Sequence, residues 1–252
     1  MRLMSQSAKA RLYVTDDLAA GASVLLSEPQ AHYLKHVLRL EPGATVALFN
    51  GRHGEWTARI DGFAKRTCAV ILAEQRRAQE PDPDLWLLFA PLKRARVDFL
   101  VEKATELGVA RLCPVVTRRT VAERINLERL RAHAVEAAEQ TERLSVPALA
   151  EPKPLDRVTA GWPAGRRLLL CDESGSAPPI AAVLRESRAE AWAVLVGPEG
   201  GFGETELDAL RKLSFVSPVG LGPRVLRADT AAVAALAVFQ ALTGDWRMPR
   251  RG

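Results

Sequence analysis

The chain has 252 residues, enough for one large or two small domains, and 48% hydrophobic with 26% charged residues is the composition of a folded chain, not a disordered one. Lysine and arginine outnumber aspartate and glutamate by 35 to 30, a net charge of +5 that suits a nucleic-acid partner without requiring one, while 6% aromatic residues argue against a surface built mainly for stacking single-stranded bases. No apolar run reaches the length of a membrane span, and Cys68, Cys113 and Cys171 have no partners at metal-ligand spacing, so neither a membrane nor a metal is expected.

The first third reads as β. Ser23–Leu26, Thr45–Phe49, Glu55–Ile60 and Thr67–Leu72 are short apolar or alternating runs, which suggest a small barrel. Asn50-Gly51-Arg52-His53-Gly54 is a good hairpin connection, because glycine and asparagine tolerate positive φ. Gln30–Leu40 reads as one short helix stopped by Glu41-Pro42-Gly43. The polar stretch Ala73–Asp84, with Pro81 and Pro83, marks a domain boundary, giving domains 1–78 and 79–252.

The remainder alternates strand and helix. Strands are expected at Leu85–Ala90, Arg111–Val116, Arg167–Cys171, Trp192–Val196 and Phe215–Val219. Helices are expected at Asp98–Leu107, Leu127–Gln140, Pro179–Glu186, Thr205–Lys212 and from about Thr230 to Leu242. Gly108 sits where a helix-terminating glycine belongs. Such alternation implies a mainly parallel sheet covered by helices on both faces, with ligands bound beyond the carboxyl ends of the strands. The three cysteines fall in apolar, strand-like stretches and read as reduced and buried in a cytoplasmic protein; the opening Met1-Arg2-Leu3-Met4-Ser5-Gln6 lacks the apolar core of a secretion signal.

Two loops after predicted strands carry the chemistry. Gly197-Pro198-Glu199-Gly200-Gly201-Phe202-Gly203 has four glycines in seven residues, which lets a backbone turn tightly and approach a ligand closely. It lacks the Gly-Lys-Ser/Thr ending of a phosphate-binding P-loop. The second loop, Gly220-Leu221-Gly222-Pro223-Arg224-Val225-Leu226-Arg227-Ala228-Asp229-Thr230, leads into a helix rich in alanine and valine. Its Gly220-x-Gly222 is half of a dinucleotide fingerprint, but Val225 stands at the third glycine position. Asp229 is placed to cap the helix that follows.

These paired loops resemble those of the 16S rRNA uridine N3-methyltransferases, members of the SPOUT superfamily. Glu102-Lys103-Ala104-Thr105-Glu106-Leu107-Gly108-Val109, Glu136-Ala137-Ala138-Glu139-Gln140-Thr141-Glu142-Arg143 and His36-Val37-Leu38-Arg39-Leu40 match in the same order. The resemblance implies an N-terminal PUA-like β-barrel that binds RNA and a C-terminal SPOUT α/β domain with a deep trefoil knot. It also implies a homodimer, S-adenosylmethionine as the methyl donor, and 16S rRNA of the small (30S) ribosomal subunit as substrate.

By the same resemblance the cofactor pocket is lined by Leu170, Leu195, Val196, Gly197, Pro198, Glu199, Gly200, Leu221, Gly222, Val225 and Leu226. Arg227 is the candidate for holding the uridine as charge develops, and Arg224 can do the same or pair with Glu199. The proton acceptor stays open among Asp229, which stands where relatives carry a glutamate, Glu199, a water and the cofactor carboxylate. Candidates for RNA contact are Arg11, His32, Lys35, His36, Arg39, Lys93, Arg118, Arg119, Arg124 and Arg143, because cationic side chains on phosphates supply affinity and position. A related enzyme acting on a ribose 2′-oxygen, or a non-catalytic RNA-binding protein of the same fold, are the competing readings.

Overall fold

The computed structural model describes residues 8–92, 94–120, 125–187 and 189–248. The chain forms two units: one runs through Pro81 and adds Ala138–Val146, and the other comprises Asp82–Ala137 and Pro147 onward.

In the first unit, five strands form one sheet: β1 (Arg11–Tyr13), β2 (Ser23–Leu26), β3 (Thr45–Phe49), β4 (Glu55–Phe63) and β5 (Cys68–Arg77). Their spatial order is β1-β3-β4-β5-β2, with β1 parallel to β3 and the other pairs antiparallel. Side chains alternate across a strand, so Val24 and Leu26, Val46 and Leu48, Ala58 and Ile60, and Val70 and Leu72 all reach one core cluster. Leu12 of β1 joins the same cluster as the residues of β2, so both edges of the sheet wrap around a shared core.

Four details depart from the sequence reading. Strand β1 was not expected. Strand β5 continues past Leu72 to Arg77, because the polar Glu74–Arg77 loses its cover on one face but keeps its pairing to β4. The helix begins earlier, as α1 (Glu28–His32), with Gln30 Oε1 accepting from the Ser27 N–H at 3.1 Å. It then widens into a single π-type turn, Tyr33–Val37, and Arg39 takes a left-handed φ of 54°. The 50–54 connection is an Asx turn: Asn50 Oδ1 accepts from the N–H groups of Arg52 (2.9 Å) and His53 (2.8 Å). Gly54 is obligatory there, since its φ is 71° and a Cβ would overlap the Arg77 carbonyl.

Among the described residues the second unit has seven strands: β6 (Leu85–Phe89), β7 (Arg111–Val116), β8 (Ala148–Leu149), β9 (Lys153–Pro154), β10 (Arg166–Cys171), β11 (Ala191–Val196) and β12 (Val216–Val219). The order is β12-β10-β11-β6-β7-β8, with β9 also on β7, and every pairing is parallel. The helices are α2 (Arg94–Glu106), α3 (Leu127–Gln140), α4 (Leu155–Ala160), α5 (Ile180–Glu186), α6 (Glu204–Arg211) and α7 (Ala228–Leu242). The short β8, β9 and α4 were not expected from sequence.

Continuous apolar runs made β6 and β11 readable, and both are buried on both faces, as a central parallel strand must be. Gly108 ends α2 with φ 77°, and a Cβ there would lie 2.7 Å from Gln240 Nε2. That amide is fully buried on α7 and donates to the Leu107 carbonyl at 2.6 Å, which locks α7 onto the end of α2. Among the described residues no helix is long and apolar enough to cross a membrane.

Candidate active site

Strand β10 lies between β11 and β12, so the loops leaving the carboxyl ends of these three neighbours converge. They are 172–179 after β10, 197–203 after β11 and 220–227 after β12, and they enclose a cavity of about 650 Å³. The first and third loops are zipped together. Gly220 N–H donates to the Pro178 carbonyl at 2.8 Å, and Ile180 N–H to the Gly220 carbonyl at 3.1 Å. A Cβ on Gly220 would press to 3.1 Å from the Ala177 carbonyl, so the approach is available to glycine.

The 172–179 loop is held from its base. The Asp172 side chain is 1% exposed; it accepts from Arg211 (Nη2 at 2.6 Å, Nε at 3.0 Å) and from the Ser174 N–H at 2.9 Å. Burial pushes its pKa up, but the Ser174 and Arg211 hydrogen bonds outweigh burial and hold the carboxyl below the usual aspartate value. A carboxylate whose folded value is depressed stabilises the fold above its unfolded value, about 3.9, and that stabilisation is lost as pH falls through the folded value. Asp172→Asn is therefore expected to cost about 2 kcal/mol at neutral pH. In urea unfolding series, the gap between wild type and variant should close as the pH is taken from about 4 downward; a pH-independent gap would contradict this.

Within the 197–203 loop, Gly201 N–H closes a turn on the Pro198 carbonyl at 2.9 Å, and Gly201 takes φ 67°. The Phe202 ring covers Gly197, where a Cβ would meet it at 2.8 Å. Glu199 is ion-paired to Arg96 of α2, not to Arg224 as the sequence allowed. In the 220–227 loop, Gly222 takes φ 105°, Val225 is 76% exposed, and Arg227 caps α7. Arg96, Arg211 and Arg119 are committed to Glu199, Asp172 and the Gly200 carbonyl, whereas the guanidinium groups of Arg224 and Arg227 make no hydrogen bond or ion pair to any described residue.

Val196, Gly197, Pro198, Glu199, Leu221, Gly222, Arg224, Val225, Leu226 and Arg227 all stand on the cavity wall. Leu170 and Leu195 do not: both are fully buried in the sheet core, one side-chain layer beneath the loops. Gly200 is exposed beside the wall, not on it, and Asp229 is also off the wall. Asp229 lies in the first turn of α7 with Oδ1 accepting from the Thr230 N–H at 2.9 Å; the cap position belongs to Arg227. Sequence reasoning missed Arg96, Asp172, Glu173 and Phe202 of the lining. It also took Cys171 as simply buried, whereas Cys171 edges onto the cavity, in surroundings close enough to push its thiol up to about 12.

The candidate RNA contacts divide. Arg11 is removed from a phosphate role by burial: its guanidinium pairs with Glu55 at 2.5 Å and lies 3.7 Å over the Phe49 ring. Arg143 is half-buried, with Nη2 donating to Ser145 Oγ at 3.1 Å. His32, Lys35, His36 and Arg39 are exposed along α1 and the turn after it, the two imidazoles 4.9 Å apart. Arg118 and Arg119 are exposed at the end of β7. Lys93 and Arg124 lie outside the described residues. No three His, Cys, Asp or Glu side chains cluster as metal ligands among the described residues.

Residues 79–240 match the profile of an RNA methyltransferase domain, and residues 26–72 that of an RNA methyltransferase PUA domain. Ribosomal RNA small subunit methyltransferase E of Rickettsia conorii is 32% identical over 238 residues, covering 92% of this chain and 95% of the relative. The Synechocystis protein of the same name is 34% identical, covering 92% and 77%. Among solved structures, ribosomal RNA small subunit methyltransferase E from Neisseria gonorrhoeae, crystallised with S-adenosylmethionine, superposes with a TM-score of 0.85 at 27% identity over 94% of this chain and 99% of that one. A putative methyltransferase from Legionella pneumophila in complex with the same compound gives 0.83 at 31% identity, over 94% and 98%. The chain belongs to the ribosomal RNA small subunit methyltransferase E family.

Proposed function

We propose that this chain transfers the methyl group of S-adenosylmethionine to N3 of a specific uridine in 16S rRNA. The observation that carries the reading is one cavity walled by the two glycine loops, with two uncommitted guanidinium groups, Arg224 and Arg227, standing on it. About 650 Å³ is within the range of small-molecule sites. Leu221, Val225 and Leu226 offer apolar contact to an adenine, and the backbone of Gly197–Glu199 and Gly222 offers donors and acceptors to its edge and to an amino-acid moiety. When bound, S-adenosylmethionine supplies an electrophilic methyl on a positive sulfonium. The chain must orient the uridine N3 in line with that methyl, let its proton leave, and stabilise negative charge on the uracil carbonyls as it grows. Arg227 is the group for the last task, with Arg224 beside it. Asp229 is engaged with the Thr230 amide and is assigned to fixing the start of α7.

RNA phosphates are assigned to exposed side chains, His32 and Arg39 in the first unit and Arg118 and Arg119 in the second, and the target base must be turned out of any stack to reach the cavity. Such a substrate places the protein in the cytoplasm, with the small ribosomal subunit as partner. Two further features of the family are part of the proposal. A trefoil knot is supported by the match of residues 79–240 to the RNA methyltransferase domain. A homodimer is supported by apolar side chains left exposed on α2 (Phe99) and beyond α7 (Trp246, Met248).

The test is methylation of small ribosomal subunits lacking the modification, with the methyl located by mass spectrometry. N3-methyluridine is expected; a ribose 2′-O-methyl instead would refute the assignment. Gly222→Ala supplies a check on the pocket. At φ 105° a Cβ is strained by about 1–3 kcal/mol, so the loop must reshape, and the S-adenosylmethionine dissociation constant should rise about tenfold in calorimetric titration. Unchanged affinity would remove this loop from the pocket.

A further inference from the structure

The glycine loop after β11 closes one turn of its own, from the Gly201 N–H to the Pro198 carbonyl at 2.9 Å. Gly200 and Gly201 are adjacent, and a Cβ at Gly200 would meet nothing within 4 Å. Neighbours add further hold: Arg96 of α2 pairs with Glu199, and the turn that follows β7 supplies more contacts. Thr117 and Thr120 build that turn: the Thr117 N–H donates to Thr120 Oγ1 at 2.9 Å, the two hydroxyls are 2.9 Å apart, and the Thr120 N–H returns to the Thr117 carbonyl at 3.1 Å. Thr117 is buried, so the turn is anchored at its base.

Of Arg118 and Arg119, between these threonines, Arg119 reaches the glycine loop and Arg118 the first turn of α6. Arg119 Nη1 donates to the Gly200 carbonyl at 2.9 Å. Arg118 donates from its backbone N–H to Glu206 Oε1 at 3.1 Å and from its guanidinium to Thr205 Oγ1. The other Glu206 oxygen accepts from the Gly203 N–H at 3.4 Å, so the loop is gripped at its middle and at its exit into α6. The reach is possible because the carboxyl ends of all strands in a parallel sheet face the same edge, and β7 is separated from β11 only by β6.

We propose that Arg119 is a positioning residue for the cofactor site, holding the glycine loop in its binding shape through the Gly200 carbonyl. This rests on the cofactor reading given above. It assigns Arg119 a task that needs no RNA; a guanidinium has five N–H donors, so the bond to Gly200 leaves others for a phosphate.

Calorimetric titration of the full chain with S-adenosylmethionine, in the absence of RNA, tests it. Arg119→Ala should raise the dissociation constant five- to tenfold, tenfold being 1.4 kcal/mol. Arg119→Lys, which keeps one donor for one carbonyl, should recover part of the loss. In methylation assays at saturating small subunits, the KM for S-adenosylmethionine should rise by more than kcat falls, a split that general loosening of the fold would not give. Melting temperatures should be unchanged, since the arginine is exposed. Wild-type affinity in Arg119→Ala, with a raised KM for small subunits alone, would overturn the proposal and leave Arg119 a phosphate contact. A wild-type chain that bound no S-adenosylmethionine would instead overturn the cofactor reading itself.

Discussion

Arg227→Ala is expected to lower kcat for methyl transfer by about 10²- to 10³-fold while leaving the S-adenosylmethionine dissociation constant within about twofold. Removing one preorganised donor aimed at developing charge costs about 2.7–4 kcal/mol in enzymes where this has been isolated, and the effect falls on the transition state because the uncharged base needs the guanidinium less. Arg227 suits that task on two counts. Its backbone is fixed, because it caps α7, whose first turns pack Ala231, Ala232 and Ala235 into the core. Its side chain is uncommitted among the described residues, so no internal ion pair must break before it meets a substrate. Arg227→Lys should recover little, since an ammonium cannot offer two parallel donors to neighbouring acceptors. Single-turnover methylation of small subunits at saturating cofactor separates the chemical step from binding. A variant with full kcat and only a raised KM for subunits would move Arg227 from the reacting base to the phosphate backbone.

The parts of the fold legible in the sequence were those in which local pattern and tertiary burial agree. Leu85–Phe89 and Ala191–Val196 are apolar throughout because they are covered on both faces, and Arg111–Val116 and Leu127–Gln140 were expected with the bounds they have. Elements of two or three residues left no period to detect, so β1, β8 and β9 went unread. The Ser27-x-x-Gln30 signature that sets the start of α1 was present and overlooked.

At the site, the two glycine loops announced themselves by composition, but the third wall did not. Residues 172–179 reach the cavity because β10 is flanked by β11 and β12, a fact of strand order that no local run encodes. Leu170 and Leu195 were placed one layer too high for the same reason: alternation names the strand, not the residue at which it stops being core.

Arg11 shows the limit most sharply, and it carries the second large expectation. A lone arginine in a basic chain reads as a phosphate contact, yet here its side chain is 11% exposed and faces Glu55, which is 4% exposed. Besides that pair, Arg11 donates to the carbonyls of Ala138 (2.7 Å) and Arg143, and so pins the distant 138–146 segment to the strands of the first unit. Burial pulls its pKa below the usual guanidinium value, and the hydrogen bond and charge of Glu55 oppose that pull. Arg11→Ala would leave a buried carboxylate with Arg76, at 3.2 Å, as its ion-pair partner among the described residues, and two carbonyls without this donor. Breaking a buried pair from one side costs about 3–5 kcal/mol, a large share of the stability of an ordinary domain.

Arg11→Ala is therefore expected to shift the chemical-denaturation midpoint markedly and to expose the 138–146 segment to proteolysis. Arg11→Met combined with Glu55→Gln should lose less than Arg11→Ala alone, because the isolated charge is gone. S-adenosylmethionine affinity, assigned by the proposal to loops of the other unit, should survive in molecules that remain folded. An Arg11→Ala protein of wild-type stability that binds small subunits weakly would reverse the assignment and return Arg11 to the RNA surface.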